Sequence, residues 1–166
     1  MTELAYQQQT GKVLEQLAKG AFLTTADGPH YNTMIIGWGS IGYMWGKPVF
    51  TIMVRHSRYS HDLLEKHGEF TVSLPFGELK TAIALCGSKS GRDMDKFAAA
   101  KLTAQPGKKV AVPVIGECDR HYECKVIYQQ EMLPEALDSA DNNKWYTDGD
   151  YHTLYFGEVV ASYSRD

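Results

Sequence analysis

Residues 21–54 read AFLTTADGPHYNTMIIGWGSIGYMWGKPVFTIMV, and three runs in them are rich in β-branched and aromatic residues: AFLTTA (21–26), YNTMIIGW (31–38) and VFTIMV (49–54). Short apolar runs bounded by turn formers read as strands. Asp27-Gly28-Pro29 separates the first two, so they are expected to pair as a hairpin. Working outward, the same texture returns in FTVSL (70–74), VPVI (112–115), ECKVIY (123–128) and YHTLYFGEVVASY (151–163), which makes seven strands. Seven strands in one small domain must close on themselves or stack.

Helical patterns interrupt them. Leu4, Val13, Leu14, Leu17 and Ala18 recur at near-helical spacing over 3–19, with Gly11 as a break or cap and Gly20 as the stop. Ser60 is expected to cap a helix over 61–67, with Asp62 in its first turn and Gly68 just past its end. Leu79, Ala82, Ile83 and Cys86 form a stripe ending at Gly87, and Asp93 is placed to cap a third helix carrying Met94 and Phe97. Residues 129–150 contain Pro, Asp and two Asn and read as a long excursion. Helices gathered after the fourth strand, without regular β–α alternation, predict a mainly β barrel with short helical insertions rather than a Rossmann sheet. No repeat or linker divides the chain, so 1–166 is expected to be one domain with an N-terminal helical segment at about 3–19.

With 166 residues, 43% hydrophobic and 22% charged, the composition is that of a globular chain and excludes disorder and collagen. Seventeen Lys and Arg against twenty Asp and Glu give a net charge of -3, so the basic excess of a non-specific nucleic-acid binder is absent and any anion site must be local. The apolar runs fall far short of the roughly 20 residues of a membrane span. The first twenty residues, MTELAYQQQTGKVLEQLAKG, lack the charge and cleavage pattern of a secretory signal, which predicts a cytoplasmic location. Cys86, Cys118 and Cys124 are an odd count, expected as free thiols in a reducing compartment.

Three segments carry candidate chemistry. In Tyr31–Pro48, a strand continuing to Gly39 puts Asn32, Met34, Ile36 and Trp38 on one face and Thr33, Ile35, Gly37 and Gly39 on the other. Its glycines suit close approach of a planar ligand or another chain, and equally a bulged core strand at a barrel corner. In Arg55-His56-Ser57-Arg58-Tyr59-Ser60, two guanidiniums, hydroxyls and helix-start amides suit a phosphate; a solvated basic loop with a helix cap fits the same residues. The third, Cys86-Gly87-Ser88-Lys89-Ser90-Gly91-Arg92-Asp93, lacks the strand and Lys-Ser/Thr of a P-loop, so ATP hydrolysis is not expected. Its amides and hydroxyls suit an anion nest or a simple interhelical turn. Cys118-x-x-His121-x-x-Cys124 has ligand-like spacing, but in an extended segment His121 faces away from both thiols. His56, His61 and His67 are five and six apart, wrong for HExxH or for one helical face.

The stretch from Asn32 to Leu74, followed by LKTAIALCGSKSGRDMDKF (79–97) and VPVIGECDRHYECKV (112–126), resembles the flavin reductase-like family of FMN-binding split barrels, which includes flavoredoxin-type proteins. The resemblance covers about 18–128, with a weaker closing strand at 151–163. It implies a Greek-key split β-barrel, usually a homodimer, that binds FMN near the subunit interface. Hydride transfer from NADH or NADPH to the flavin, or electron relay to a redox protein partner, is the implied activity. Position by position, Asn32, Thr33, Met34, Trp38 and Gly39 correspond to the segment beside the isoalloxazine. Arg55, Ser57, Arg58, Tyr59 and Ser60 correspond to the phosphate turn, and Cys86, Gly87, Ser88, Lys89 and Ser90 to a loop near the flavin. His56 and Ile35 depart from the pattern, where Pro and Thr are common. No residue is implied to act as a catalytic acid or base, because the cofactor carries the redox chemistry.

Overall fold

The computed structural model describes residues 1–77 and 79–165. In chain order its elements are β1 (Thr2–Glu3), α1 (Thr10–Leu17), β2 (Ala21–Asp27), β3 (His30–Ile36), β4 (Gly39–Met44), β5 (Lys47–Arg55), α2 (Tyr59–His67) and β6 (Glu69–Leu74). They continue with α3 (Lys80–Ser88), α4 (Lys96–Ala100), β7 (Ala104–Gln105), β8 (Val114–Ile115), β9 (Arg120–Glu131), a 3-10 turn at Pro134–Ala136, α5 (Ser139–Trp145) and β10 (His152–Ser164).

One antiparallel sheet runs β3-β2-β6-β9-β10-β5-β4, with β1 added beside β10. β3 and β4 are consecutive in the chain yet form its two edges. Three peptide steps join Ile36 to Gly39 and span at most about 11 Å. The sheet must therefore curl until its edges face one another, bridged by Gly37 and Trp38 and not by a hydrogen-bonded ladder. That gives a barrel left open along one seam.

Period-two alternation builds the layers. On β2, Ala21 and Leu23 enter the barrel core with Phe50, Ile52, Val54, Phe70, Val72, Tyr122 and Tyr155. Phe22 points the other way, under Ala82, Cys86 and Phe97 of α3 and α4. Both faces of β2 are therefore buried, and each such aromatic or aliphatic side chain contributes about 1.5–3 kcal/mol. α1 plugs the barrel with Val13 and Leu17. Where β10 crosses β9 the register shifts at Phe156 and Gly157, and a Cβ on Gly157 would come within 2.5 Å of the Phe70 ring.

The expected hairpin forms as β2 and β3, from Ala21↔Ile36 to Asp27↔His30. Several boundaries differ. The expected 31–38 strand ends at Ile36, so Trp38 and Gly39 do not continue its alternation, and Gly39–Met44 is a separate strand. Thr2–Glu3 is a strand, and Gly11 lies inside α1 instead of breaking it. Ser60 does not cap α2: the cap position is Arg58, and the Ser60 hydroxyl accepts a hydrogen bond from Asn32 Nδ2 at 3.0 Å. Asp95, not Asp93, caps α4 by accepting from the Ala98 amide. The 112–115 run contributes only Val114–Ile115, paired with β7 outside the barrel. The 129–150 excursion begins after Glu131 and holds α5. Cys86, Cys118 and Cys124 are buried free thiols, as expected. Among the described residues no helix is long and apolar enough to cross a membrane.

Candidate functional site

The open seam carries a groove with two ends. One end, about 270 Å3, lies against Gly37 and Trp38 of the seam, with Met53, Trp145 and His152 opposite. The other, about 230 Å3, is polar and is lined by Arg58, Lys89, Ser90 and Lys96 among others. Met34, Ile35 and Arg58 belong to both ends and join them. A larger cleft of about 750 Å3 lies elsewhere, between α1 and residues 75–77 and 79–84, and gathers none of the candidate site residues named from the sequence.

Most of the sequence-selected residues converge on this groove. Asn32, Met34, Ser57, Arg58, Tyr59, Ser60, Cys86, Gly87, Ser88, Lys89 and Ser90 line the polar end, while Trp38 and Arg55 line the aromatic one. Thr33 and Gly39 line neither end. The Thr33 hydroxyl is fully buried and donates to the Leu23 carbonyl, and Gly39 lies flat against β5, where a Cβ would meet the Thr51 carbonyl at 2.7 Å.

The basic turn is divided in two by the excursion before β10. Arg55 donates to the Asp150 carbonyl at 2.6 Å and the Trp145 carbonyl at 2.7 Å, and stacks over Tyr146. Ser57 donates to the Asp150 carboxylate through its amide and, at 2.6 Å, through its hydroxyl. Partial burial works against ionising Asp150, but the two Ser57 hydrogen bonds, with Arg55 and Arg58 nearby, outweigh it and hold the carboxyl below its ordinary range. Arg55 and Ser57 are thus engaged with a resident carboxylate and two carbonyls. Arg58 faces both ends of the groove. Ser88 spends its hydroxyl on the Ala84 carbonyl of its own helix.

Lys96 and His152 were missed by sequence reasoning. Lys96 is 5% exposed and donates to the Cys86 carbonyl at 2.9 Å. Burial lowers its pKa, and Arg58 adds like-charge repulsion in the same direction. An ammonium has three donors. One carbonyl acceptor leaves it short of partners at the floor of a polar cavity. Gly91 closes that floor: a Cβ there would overlap the Asn32 side-chain amide. Charge patterning could not reveal Lys96, because lysine is ordinarily exposed. His152 pairs with Arg55 across β10 and β5, its Nδ1 shares a hydrogen bond with the Tyr146 hydroxyl at 2.7 Å, and burial first, then Arg55, depress its pKa to about 4. It is neutral at pH 7. The usable signal for His152 was its place at the head of the strand that pairs with the Arg55 strand. Cys86 stays a thiol, its pKa raised by burial.

The arrangement is thus an antiparallel barrel split beside a groove with an aromatic end and a cationic end. The chain belongs to the flavin reductase-like domain family, whose model matches residues 14–166. It is 32% identical over 129 residues to an uncharacterised protein of Archaeoglobus fulgidus, covering 78% of this chain and 63% of that protein's length. Among solved structures, flavoredoxin of Desulfovibrio vulgaris (Miyazaki F) is similar at a TM-score of 0.72 and 26% identity, over 89% of this chain and 69% of that one. An FMN-binding protein from Thermus thermophilus with bound 1-cyclohex-2-enone is similar at a TM-score of 0.68 and 25% identity, over 87% and 69%.

Proposed function

We propose that the chain binds FMN in the two-ended groove and catalyses hydride transfer to it from NADH or NADPH. Lys96 carries the reading: a buried ammonium with a single carbonyl partner, beside Arg58, at the cationic end of a groove whose other end is aromatic. The residues fit the group, since a phosphate would supply the acceptors that Lys96 lacks and neutralise the repulsion between it and Arg58. Family membership and the FMN-binding relative support the same assignment.

When bound, FMN supplies the hydride acceptor, so that NAD(P)H, FMN and a proton give NAD(P)⁺ and reduced FMN. The chain's own residues bind and orient. Arg58, Lys96, Lys89 and Ser90 meet the anionic tail. Asn32, Met34, Tyr59, Ser60, Cys86, Gly87 and Ser88 shape the passage between the two ends. Trp38 and Trp145, edge to face at 5.1 Å, screen the aromatic end from water. Neutral His152 adds no charge there. Arg55 and Ser57 act through the 145–150 segment they hold rather than through the tail itself.

Exposed Tyr43, Trp45 and Tyr128, with Trp45 against Tyr128 and Phe156, form an aromatic surface that suits a homodimer. Likeness to flavoredoxin favours a second reading, an electron carrier that is reduced by a protein partner instead of a free nicotinamide. Spectra of the purified chain with FMN, before and after each nicotinamide under nitrogen, separate the two. A perturbed flavin spectrum that bleaches with NADH or NADPH is expected. Perturbation without bleaching, together with rapid reduction by a redox protein, selects the carrier. An unperturbed spectrum overturns both.

A further inference from the structure

Outside the groove, His56, His61 and Glu131 bring two imidazoles and a carboxylate to one point, their donor atoms all within 4.8 Å of one another. The three come from separate elements: the turn after β5, the first turns of α2, and the last residue of β9. Their spacing in the chain excludes a local helical motif, but the packing of α2 beside the β9–β10 ladder restores the convergence that the sequence hid.

Supporting contacts surround them. His56 Nε2 lies 2.5 Å from Glu131 Oε2, and the two rings are 5.1 Å apart between centroids. Thr153 of β10, fully buried, donates from its hydroxyl to Glu131 Oε1 at 2.8 Å and meets His61 Nε2 at 3.0 Å. An exposed His–Glu pair alone contributes about 0–1 kcal/mol and does not account for a second imidazole aimed at the same point. A buried hydroxyl that orients a carboxylate between two imidazoles is what an outer shell does around a metal.

We propose that His56, His61 and Glu131 form a binding site for a divalent transition metal of the zinc class. An all nitrogen-and-oxygen donor set with imidazole in the majority suits Zn²⁺, Co²⁺, Ni²⁺, Cu²⁺ or Fe²⁺ rather than Mg²⁺ or Ca²⁺. A tetrahedral ion with ligands at about 2.0–2.2 Å needs donors roughly 3.4 Å apart. To reach that spacing the His56–Glu131 pair, now at 2.5 Å, would open and the wider pairs would close; the His56 and Glu131 side chains are 46% and 58% exposed, which leaves room for both movements. Three protein ligands leave a fourth position for water, as in sites that exchange ligands. The proposal is independent of the flavin reading, since none of the three residues lines the groove.

The test is a titration of the chelator-treated full chain with Co²⁺, followed by its visible absorption, then by Zn²⁺ competition and by calorimetry with Zn²⁺ alone. The wild type should take up one equivalent of Co²⁺ with the absorption of a low-coordinate site, displaced by Zn²⁺. His56→Ala and Glu131→Gln, both at the surface, should each weaken binding at least about tenfold, the lower end of what even outer-shell partners contribute. His67→Ala, at the separate His67–Asp27 pair, should leave binding unchanged. No spectrum at one equivalent of Co²⁺, or undiminished binding in the His56→Ala/Glu131→Gln double variant, overturns the proposal. So does loss of binding in His67→Ala alone.

Discussion

Glu123 and Lys96 are both buried charges, and they are treated in opposite ways. The Glu123 carboxylate accepts from the amides of Lys108, Lys109 and Val110 at 2.6, 2.6 and 3.0 Å, and from the Tyr163 hydroxyl at 2.6 Å. It is a fully partnered charge that ties the 108–110 loop to the barrel. Lys96 has one carbonyl and a neighbouring Arg58. A folded chain tolerates an under-partnered buried ammonium only if something outside the chain completes it or if it costs stability. The contrast distinguishes a charge that holds the fold from one that awaits an anion.

Substitutions can break that contrast. Glu123→Ala strips four donors of their acceptor and is expected to cost about 3–5 kcal/mol, seen as a lower denaturation midpoint. A neutral effect would mean that the loop holds itself. His121 and His152 give the next largest effect. Both are buried with pKa depressed to about 4, in each case chiefly by burial. The unfolded chain takes up these protons near pH 6.5 while the native state resists until about 4. Stability should therefore be level above neutrality and fall as pH drops from about 6.5 to 4, by on the order of 3 kcal/mol for each histidine. Urea midpoints between pH 8 and 4 check this, and a flat profile would count against buried neutral imidazoles.

Lys96→Met should leave folding stability unchanged or raised while weakening FMN binding by about 1.5–3 kcal/mol, the opposite pattern to Glu123→Ala. Equal loss of stability in both variants would erase the distinction. Smallest is Asp150→Asn, which removes a carboxylate from the cationic turn. It should tighten FMN binding by about 0.5–1 kcal/mol without affecting riboflavin. Fluorescence titration of both flavins reads this, and tightening of both alike would show that Asp150 acts through the 145–150 segment instead.

The fold was legible where physics is local. Asp27-Gly28-Pro29 between two β-branched runs specified the β2–β3 hairpin, and Gly68, left-handed at the end of α2, stopped that helix where expected. β4 was not legible. Its GSIGYM lacks β-branched density, and the turn that follows places Trp45 at φ 52, a conformation that no rule of turn composition assigns to Trp. The groove was half legible. Arg58, Tyr59, Lys89 and Ser90 lie near one another because their segments flank helix starts and ends, which sequence shows. Asp150, which captures Ser57 from 93 residues away, and Lys96, buried because α4 seats Phe97 against Phe22 and Cys86, depend on long-range packing. Charge signs were available in the sequence; which charges would be left without partners was not.

The most direct test is the ratio of FMN to riboflavin affinity for the wild-type chain, two ligands that differ only in the phosphate. If Lys96 and Arg58 receive that phosphate, FMN should bind at least about tenfold more tightly, and the advantage should shrink as salt screens the exposed Arg58. Equal affinities for the two flavins, or binding of neither, would contradict the assignment of the polar end to an anionic tail.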